Sequence, residues 1–158
     1  MLIELRNVKH AAFLSQETEA YTATVYIDGK KAGCVENDGH GGPDCVWIDG
    51  KELHQRMLDW IKSQPNTEPC DLFPDGMEMN VDLYFSELLQ KHLELKQMKG
   101  WLRTRLLVKA DDTPDGEWLT YKPNKPHCAD YIRNKFGDRL RTLITTNAEA
   151  KAFVFGTA

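Results

Sequence analysis

The residues best suited to chemistry stand together in one short segment, Asn37-Asp38-Gly39-His40-Gly41-Gly42-Pro43. Its glycines permit sharp turns, and successive N–H groups in such turns can converge on an anion such as phosphate. The same composition also fits a bent, ligand-free exit from an edge strand. Two nucleotide-binding motifs are excluded, because a P-loop needs a Lys-Ser/Thr pair and a dinucleotide fingerprint needs G-x-G-x-x-G. We therefore treat residues 37–42 as a candidate binding loop.

The histidines and cysteines do not form a recognisable metal or catalytic motif. No C-x-x-C or H-x-x-x-H spacing occurs, so the sequence predicts no metal and no cofactor. His127 and Cys128 are sequence neighbours whose side chains are expected to point apart, so a Cys/His catalytic pair would need other partners. The residues considered are His10, His40, His54, His92, His127, Cys34, Cys45, Cys70 and Cys128. An enzyme is therefore not predicted, although an unrecognised activity stays open as a third alternative.

Five acidic residues accompany the first strands of the chain. Paired carboxylates can perform acid–base chemistry or hold magnesium, but charged residues also protect the exposed edges of sheets. Both interpretations stay open for Glu17, Asp28, Glu36, Asp38 and Asp44.

Basic and aromatic residues interleave in the C-terminal part of the chain. Cations attract phosphates and aromatic rings stack on bases, as in single-stranded nucleic-acid binding, but a core with a basic rim gives the same pattern. The cations that would carry nucleic-acid binding are Arg103, Arg105, Lys122, Arg133, Lys135 and Arg139.

The charge balance differs between the two parts of the chain. Residues 1–98 hold 9 Lys or Arg and 17 Asp or Glu, whereas residues 99–141 hold 10 and 6. The net charge of −4 argues against a protein whose main task is coating nucleic acid. The acidic N-terminal part instead presents a surface suited to a basic partner.

Two sequence blocks resemble a family of small uncharacterised proteins encoded by phages, prophages and other mobile elements. The first block runs from Ser15-x-Glu17-Thr18 through Tyr21-x-Ala23-x-Val25-Tyr26-x-Asp28-Gly29-Lys30-Lys31 to Asn37-Asp38-Gly39-His40-Gly41-Gly42. The second is Tyr131-Ile132-Arg133-x-Lys135-Phe136-Gly137-Asp138-Arg139-Leu140. The resemblance implies a phage or mobile-element context and carries no mechanism.

The first third of the chain predicts three antiparallel strands. Residues 2–8 and 21–27 are rich in β-formers, and residues 30–36 return after a tight turn at Asp28-Gly29.

Two helices are predicted next. The first is capped by Asp49 and ends at Ser63-Gln64-Pro65, and a loop follows over residues 65–76. The second covers residues 80–99 and ends with Gly100 in the left-handed conformation.

The remaining chain predicts a second hairpin and a third helix. Residues 101–110 and 117–122 form the hairpin, and Pro126 opens a helix that is interrupted at Gly137-Asp138. Residues 140–144 predict a short turn, and residues 152–155 have strand character.

Together these elements predict one α+β domain over residues 1–158, in which the three-stranded unit and the second hairpin pack against about three helices. Without an apolar run long enough for a membrane span or an export signal, we expect a cytoplasmic protein with no membrane partner. We predict a phage-encoded accessory protein that binds a host or phage protein, with inhibition of a host defence or replication factor as the candidate role. The alternative is a nucleic-acid-associated protein that uses the basic C-terminal part. The sequence leaves the oligomeric state open.

Overall fold

The computed structural model describes residues 1–123 and 128–156, which confirm the predicted α+β class. The chain forms two compact units, Met1–His92 and Leu93–Ala158. The single domain expected over residues 1–158 stays a prediction. Within the described ranges, no helix has the length and apolar content needed to cross a membrane.

The first unit contains a four-stranded antiparallel sheet in the order β1-β2-β3-β4. The three predicted strands are present, and the fourth was not predicted because it has only four residues. The strands are β1 (Ile3–His10), β2 (Tyr21–Ile27), β3 (Lys30–Asn37) and β4 (Cys45–Ile48). Alternate residues of β2 are buried, so one face of this sheet belongs to the core.

The predicted turn at Asp28-Gly29 is confirmed. Both residues have positive φ, at 47° and 77°, and they join the paired residues Ile27 and Lys30. Positive φ at both central positions is the geometry of a two-residue hairpin turn, and glycine adopts it without strain. The Asp28 carboxylate also accepts a hydrogen bond from the Leu2 N–H at 2.7 Å, which ties the turn to β1.

The first helix, α1 (Lys51–Lys62), ends at Ser63 as predicted, but its predicted cap is wrong. Gly50 occupies the N-cap position, and no side chain there accepts a capping bond. Asp49 cannot cap the helix because it still extends the sheet, where its N–H donates to the Ala32 carbonyl at 2.7 Å.

The second helix, α2 (Val81–Leu102), runs past its predicted end. Asn80 caps its start by accepting a hydrogen bond from the Leu83 N–H at 3.0 Å. Gly100 lies inside the helix rather than in a left-handed cap, so that prediction is wrong. Trp101 and Leu102 pack against a buried cluster of the second unit, and this packing outweighs the cost of about 1 kcal/mol for a glycine within a helix.

The second unit contains a three-stranded antiparallel sheet in the order β6-β5-β7. Its strands are β5 (Leu106–Ala110), β6 (Leu119–Tyr121) and β7 (Leu140–Ile144). The predicted hairpin is present with shorter strands, since Trp101 and Leu102 belong to α2. The short turn predicted at residues 140–144 is wrong, because Leu143 and Ile144 pair with Val108 and Leu107 in the sheet.

The last helices are α3 (Cys128–Phe136) and α4 (Asn147–Phe155). A single 3-10 turn at Gly137–Arg139 follows α3, which confirms the predicted interruption. Pro126, the predicted first residue of this helix, lies outside the described residues. The strand predicted at residues 152–155 is wrong. Thr146 and Glu149 form a capping box that starts α4, and Val154 packs against the buried cluster that includes Ala150.

The helices of the second unit cover both faces of its sheet. Leu107 lies in a buried cluster with Met98 of α2 and Ala150 of α4. Its neighbour Val108 lies in another cluster, with Ile132 of α3. Successive residues of a strand point to opposite faces, so these two clusters form the two faces of one sheet.

Candidate functional site

The glycine loop, residues 37–44, connects β3 to β4 and packs against a second loop, residues 11–20. The Gly39 carbonyl accepts hydrogen bonds from the N–H groups of Gln16, Glu17 and Thr18, at 3.0, 3.2 and 3.4 Å. Gly39 is buried and has a φ of 87°. A Cβ atom there would lie 2.6 Å from the Leu14 carbonyl oxygen, so only glycine lets the two loops approach this closely.

The Asn37 side chain is the centre of the hydrogen-bond network in this loop. Its Oδ1 accepts the Gly39 N–H at 2.9 Å and the Thr18 hydroxyl at 2.8 Å. Its Nδ2 donates to the Gly42 carbonyl and to Asp44 Oδ1, both at 3.0 Å. One amide side chain therefore holds both ends of the glycine segment and the neighbouring loop.

The N–H groups of residues 39–41 are bonded within the protein. The Gly41 N–H donates to Thr18 Oγ1 at 3.2 Å, and the His40 N–H donates to Asp38 Oδ1 at 3.1 Å. With the Gly39 N–H on Asn37, the three consecutive amides of residues 39–41 point at side-chain oxygens. This geometry gives no support to the anion-binding nest that the glycines alone suggested.

Asp44 ends the glycine loop in a partly buried position. The Tyr21 hydroxyl donates to its Oδ2 at 2.8 Å, and the Asp44 N–H donates to Asp82 Oδ1 at 3.0 Å. Burial raises the pKa of Asp44 above its ordinary value, against the lowering effect of the hydrogen bonds from Asn37 and Tyr21. Burial and the nearby Asp44 also raise the pKa of Tyr21, so Tyr21 remains a hydrogen-bond donor.

These loops and the start of α2 surround a cleft of about 650 Å³. Its lining includes four carboxylates, Glu17, Glu19, Asp44 and Asp82, together with hydroxyl and amide groups. The residues described along its walls include no Lys or Arg. The arrangement therefore favours a cationic group over an anionic one.

Glu19 is held in the wall of the cleft by His10, the last residue of β1. The imidazole Nε2 and the Glu19 Oε2 are 2.5 Å apart. The hydrogen bond from His10 lowers the pKa of Glu19, with burial acting in the opposite direction. Glu19 is therefore ionised at neutral pH, which leaves the cleft acidic.

The structure divides the six predicted loop residues into three groups. Asn37, Gly41 and Gly42 line the cleft, whereas Gly39 holds the two loops together beneath it. Asp38 and His40 are exposed and do not line the cleft. Sequence analysis also missed Glu19 and Asp82, since neither belongs to a motif and only folding brings them to this loop.

Two of the basic residues proposed for nucleic-acid binding contact opposite faces of the second unit's sheet. Arg105 donates to Thr120, which pairs with Leu107 on the face covered by α2 and α4. Lys135 contacts Tyr121, which packs on the opposite face, covered by α3. The other candidates are exposed, with Arg103 and Lys122 in connections, Arg133 on α3 and Arg139 in the 3-10 turn.

Several aromatic rings of the second unit already contact cations of this chain. Lys109 Nζ lies 4.9 Å from the centre of the Trp118 ring, and Lys135 Nζ lies 5.0 Å from the centre of the Tyr121 ring. Arg133 forms an ion pair with Asp130 at 3.0 Å. These internal contacts compete with base stacking and phosphate binding, although nucleic-acid binding by this unit stays a prediction.

The four cysteines are free thiols, and Cys34, Cys45 and Cys70 are exposed. In the part of the chain that the structure describes, no three His, Cys, Asp or Glu side chains are grouped to hold a metal ion. His127 of the sequence-adjacent His127-Cys128 pair lies outside the described residues.

Comparison with protein-family models, curated proteins and solved structures gives no match for this chain. The resemblance to phage and mobile-element proteins therefore stays a prediction. The geometry of the cleft is the basis for an assignment of function.

Replacing loop glycines by alanine should separate their structural and binding roles. Gly39→Ala should lower the free energy of unfolding by more than about 1 kcal/mol, because it combines positive φ with a backbone clash. Gly42→Ala should stay within about 0.5 kcal/mol of wild type, since its φ is not in the left-handed region and no atom lies within 4 Å of the added Cβ. Urea unfolding measures both, and equal destabilisation by the two variants would contradict this assignment.

The His10–Glu19 contact should make stability sensitive to acid. Because the folded-state pKa of Glu19 is lowered, its contribution is present above the ordinary value of 4.5 and is lost as pH falls through the lowered pKa. Glu19→Gln should therefore lose stability relative to wild type at about pH 5.5, and this difference should shrink towards about pH 3. Urea unfolding across this range measures the effect, with Glu36→Gln as an exposed control. Parallel profiles for wild type and Glu19→Gln would refute the contribution.

Proposed function

We propose that this chain is a protein-binding module that docks a basic surface of its partner against the acidic cleft of the first unit. The observation that carries the proposal is the preorganised cleft, whose charged lining residues are all acidic. The network around Asn37 fixes the glycine loop before binding. A partner therefore meets a formed site and loses less conformational entropy on binding.

Phe13 and Leu14 supply an apolar contact on the same loop that packs against Gly39. Phe13 is 87% exposed and Leu14 is 47% exposed. Large aromatic side chains are frequent energetic centres of protein interfaces. A partner with an apolar pocket beside a Lys or Arg side chain would engage Phe13 and the acidic cleft together.

The biological setting of the proposal comes from the sequence resemblance. That resemblance implies a protein encoded by a phage or mobile element, acting in the cytoplasm of the host cell. Docking on a host defence or replication factor, with inhibition as the result, is the role that this setting favours. The acidic cleft does not suit phosphates, so nucleic acid is the second candidate only through the separate basic residues of the C-terminal part.

The proposal is tested by capture from a lysate of the source organism or its host, with and without nuclease treatment. We expect a stoichiometric protein partner that survives nuclease. Its affinity should fall about tenfold or more with Phe13→Ala, and should fall also with Glu17→Gln, which removes one charge from an exposed side chain. The affinity of the purified partner is then measured by calorimetry.

Phe155→Ala is the matched control, because Phe155 is an exposed phenylalanine of the second unit. It should leave the affinity unchanged. Capture that is abolished by nuclease, or binding that is indifferent to both Phe13→Ala and Glu17→Gln, would refute docking at this cleft.

A further inference from the structure

The segment that joins α1 to α2, residues 63–80, is closed on itself by hydrogen bonds. The Thr67 N–H donates to the Met77 carbonyl at 2.9 Å, and the Met77 N–H donates to Thr67 Oγ1 at 2.8 Å. The Asn66 amide donates to the Asp75 carbonyl at 3.2 Å. We call this segment the α1–α2 loop, and its shape is set by contacts within the first unit.

A tight turn in the α1–α2 loop exposes two apolar side chains. Cys70 and Phe73 exchange two backbone hydrogen bonds, each of 3.0 Å, so Asp71 and Leu72 are the two central residues of the turn. Leu72 is 83% exposed and Phe73 is 45% exposed. Because an exposed leucine gains little from burial on folding, this pair is available to pack against another molecule.

The α1–α2 loop also carries negative charge without internal compensation. The sequence holds no Lys, Arg or His between Ser63 and Gln90. Four carboxylates of the loop are exposed, and within the described residues they form no hydrogen bond or ion pair. They belong to Glu68, Asp71, Asp75 and Glu78. These groups therefore differ from Glu19 and Asp44 of the cleft, whose carboxylates already have partners within the chain.

We propose that the α1–α2 loop docks on another protein, with Leu72 and Phe73 in an apolar pocket that Lys or Arg side chains border. Charge complementarity identifies this occupant, because Asp71 and Asp75 are unpaired and flank the two apolar side chains in the sequence. The turn is formed before binding, which reduces the entropy lost on docking. The loop residues do not line the acidic cleft, so this proposal does not depend on docking there.

The same charges disfavour two other occupants. Two copies of this chain that met through their α1–α2 loops would bring two sets of unpaired carboxylates together, and like charges repel. Anionic lipid surfaces would repel the loop in the same way. Binding to a second copy or to a membrane is therefore treated as a contrary outcome of the test.

The probe is amino-β-cyclodextrin, which has an apolar cavity and a ring of ammonium groups at its rim. Unmodified β-cyclodextrin has a neutral rim, and carboxymethyl-β-cyclodextrin has an anionic one. Binding to the full chain is followed residue by residue in NMR titrations up to about 5 mM probe. Shifts at Leu72 and Phe73 should saturate, with the cationic probe bound on the order of fivefold or more tightly than the neutral one and the anionic probe bound most weakly.

Phe155 provides an internal control in the same titrations. Its side chain is 44% exposed, close to the value for Phe73, but Lys151 precedes it by one helical turn on α4. Inclusion of the Phe155 ring should therefore show no preference for the cationic rim.

Two variants separate the apolar contribution from the charge. Leu72→Ser should weaken amino-β-cyclodextrin at the turn by about fivefold or more, with the urea midpoint of unfolding unchanged because the side chain is exposed. The double variant Asp71→Asn, Asp75→Asn should retain the apolar contact and reduce the preference for the cationic rim to about twofold or less.

The natural occupant is identified by photo-crosslinking in cells of the source organism or its host. Replacing Leu72 by the photoreactive p-benzoylphenylalanine should give one cross-linked protein, and the cross-link should map to an apolar pocket with Lys or Arg at its border. Adding Asp71→Asn and Asp75→Asn should reduce its yield. The same replacement at Phe155 should not give this product.

Three results would overturn the proposal. The first is the absence of saturable shifts at Leu72 and Phe73, or equal binding of the cationic and neutral probes there. The second is a failure to cross-link from position 72, or a cross-linked site without Lys or Arg. The third is a dimer in sedimentation, or binding to phosphatidylcholine vesicles, that Leu72→Ser abolishes, since the occupant would then be a second copy or a membrane.

Discussion

The cleft of the first unit depends on the hydrogen bonds of one side chain, Asn37. Its carbonyl oxygen binds Gly39 and Thr18, and its amide nitrogen binds Gly42 and Asp44. An amide is the only neutral side-chain group that both donates two bonds and accepts two from one planar head. The carboxylate of Asp lacks the donors and would place a second charge beside Asp44. The glycine loop is therefore a fixed wall of the site.

Electrostatics is the basis of the binding preference that we propose for this cleft. Burial works against the ionised form of Asp44, whereas His10 stabilises the ionised form of Glu19. A cation that enters the cleft would relieve the repulsion between Asp44 and Asp82 and meet acceptors that are already in position. In the proposed interface, the exposed Phe13 of the loop at residues 11–20 would add apolar contact area to this charge.

Turn residues and hydrophobic periodicity correctly predicted the elements that form mainly from contacts between residues close together in the sequence. The Asp28-Gly29 turn and the third helix, with Ile132 buried, follow from turn chemistry and periodicity. The errors fall at residues whose conformation is set by tertiary packing. Gly100 is an example, because the packing of Trp101 and Leu102 keeps it within α2. The Thr146-x-x-Glu149 capping box was a readable signal that the strand-like composition after it obscured.

The candidate site was only partly predictable for the same reason. The glycine segment identified one wall of the cleft, but Asp82 arrives from a helix 38 residues beyond Asp44, and no spacing rule connects them. The structural role of Gly39 could not be predicted either, because its close approach to Leu14 exists only after the two loops have packed together. Sequence composition predicted a binding loop, and only the fold shows that the acidic residues Glu19 and Asp82 lie in the same cleft.

The central claim is that Asn37 preorganises the cleft, and amide hydrogen exchange tests it most directly. The Gly41 N–H bonds to Thr18, which in turn bonds to Asn37, so its protection reports the network rather than a single contact. In Asn37→Ala, exchange at Gly41 should accelerate by about tenfold or more, while exchange at Val25 in the centre of β2 stays at the wild-type rate. Unchanged protection of Gly41 in this variant would contradict the account.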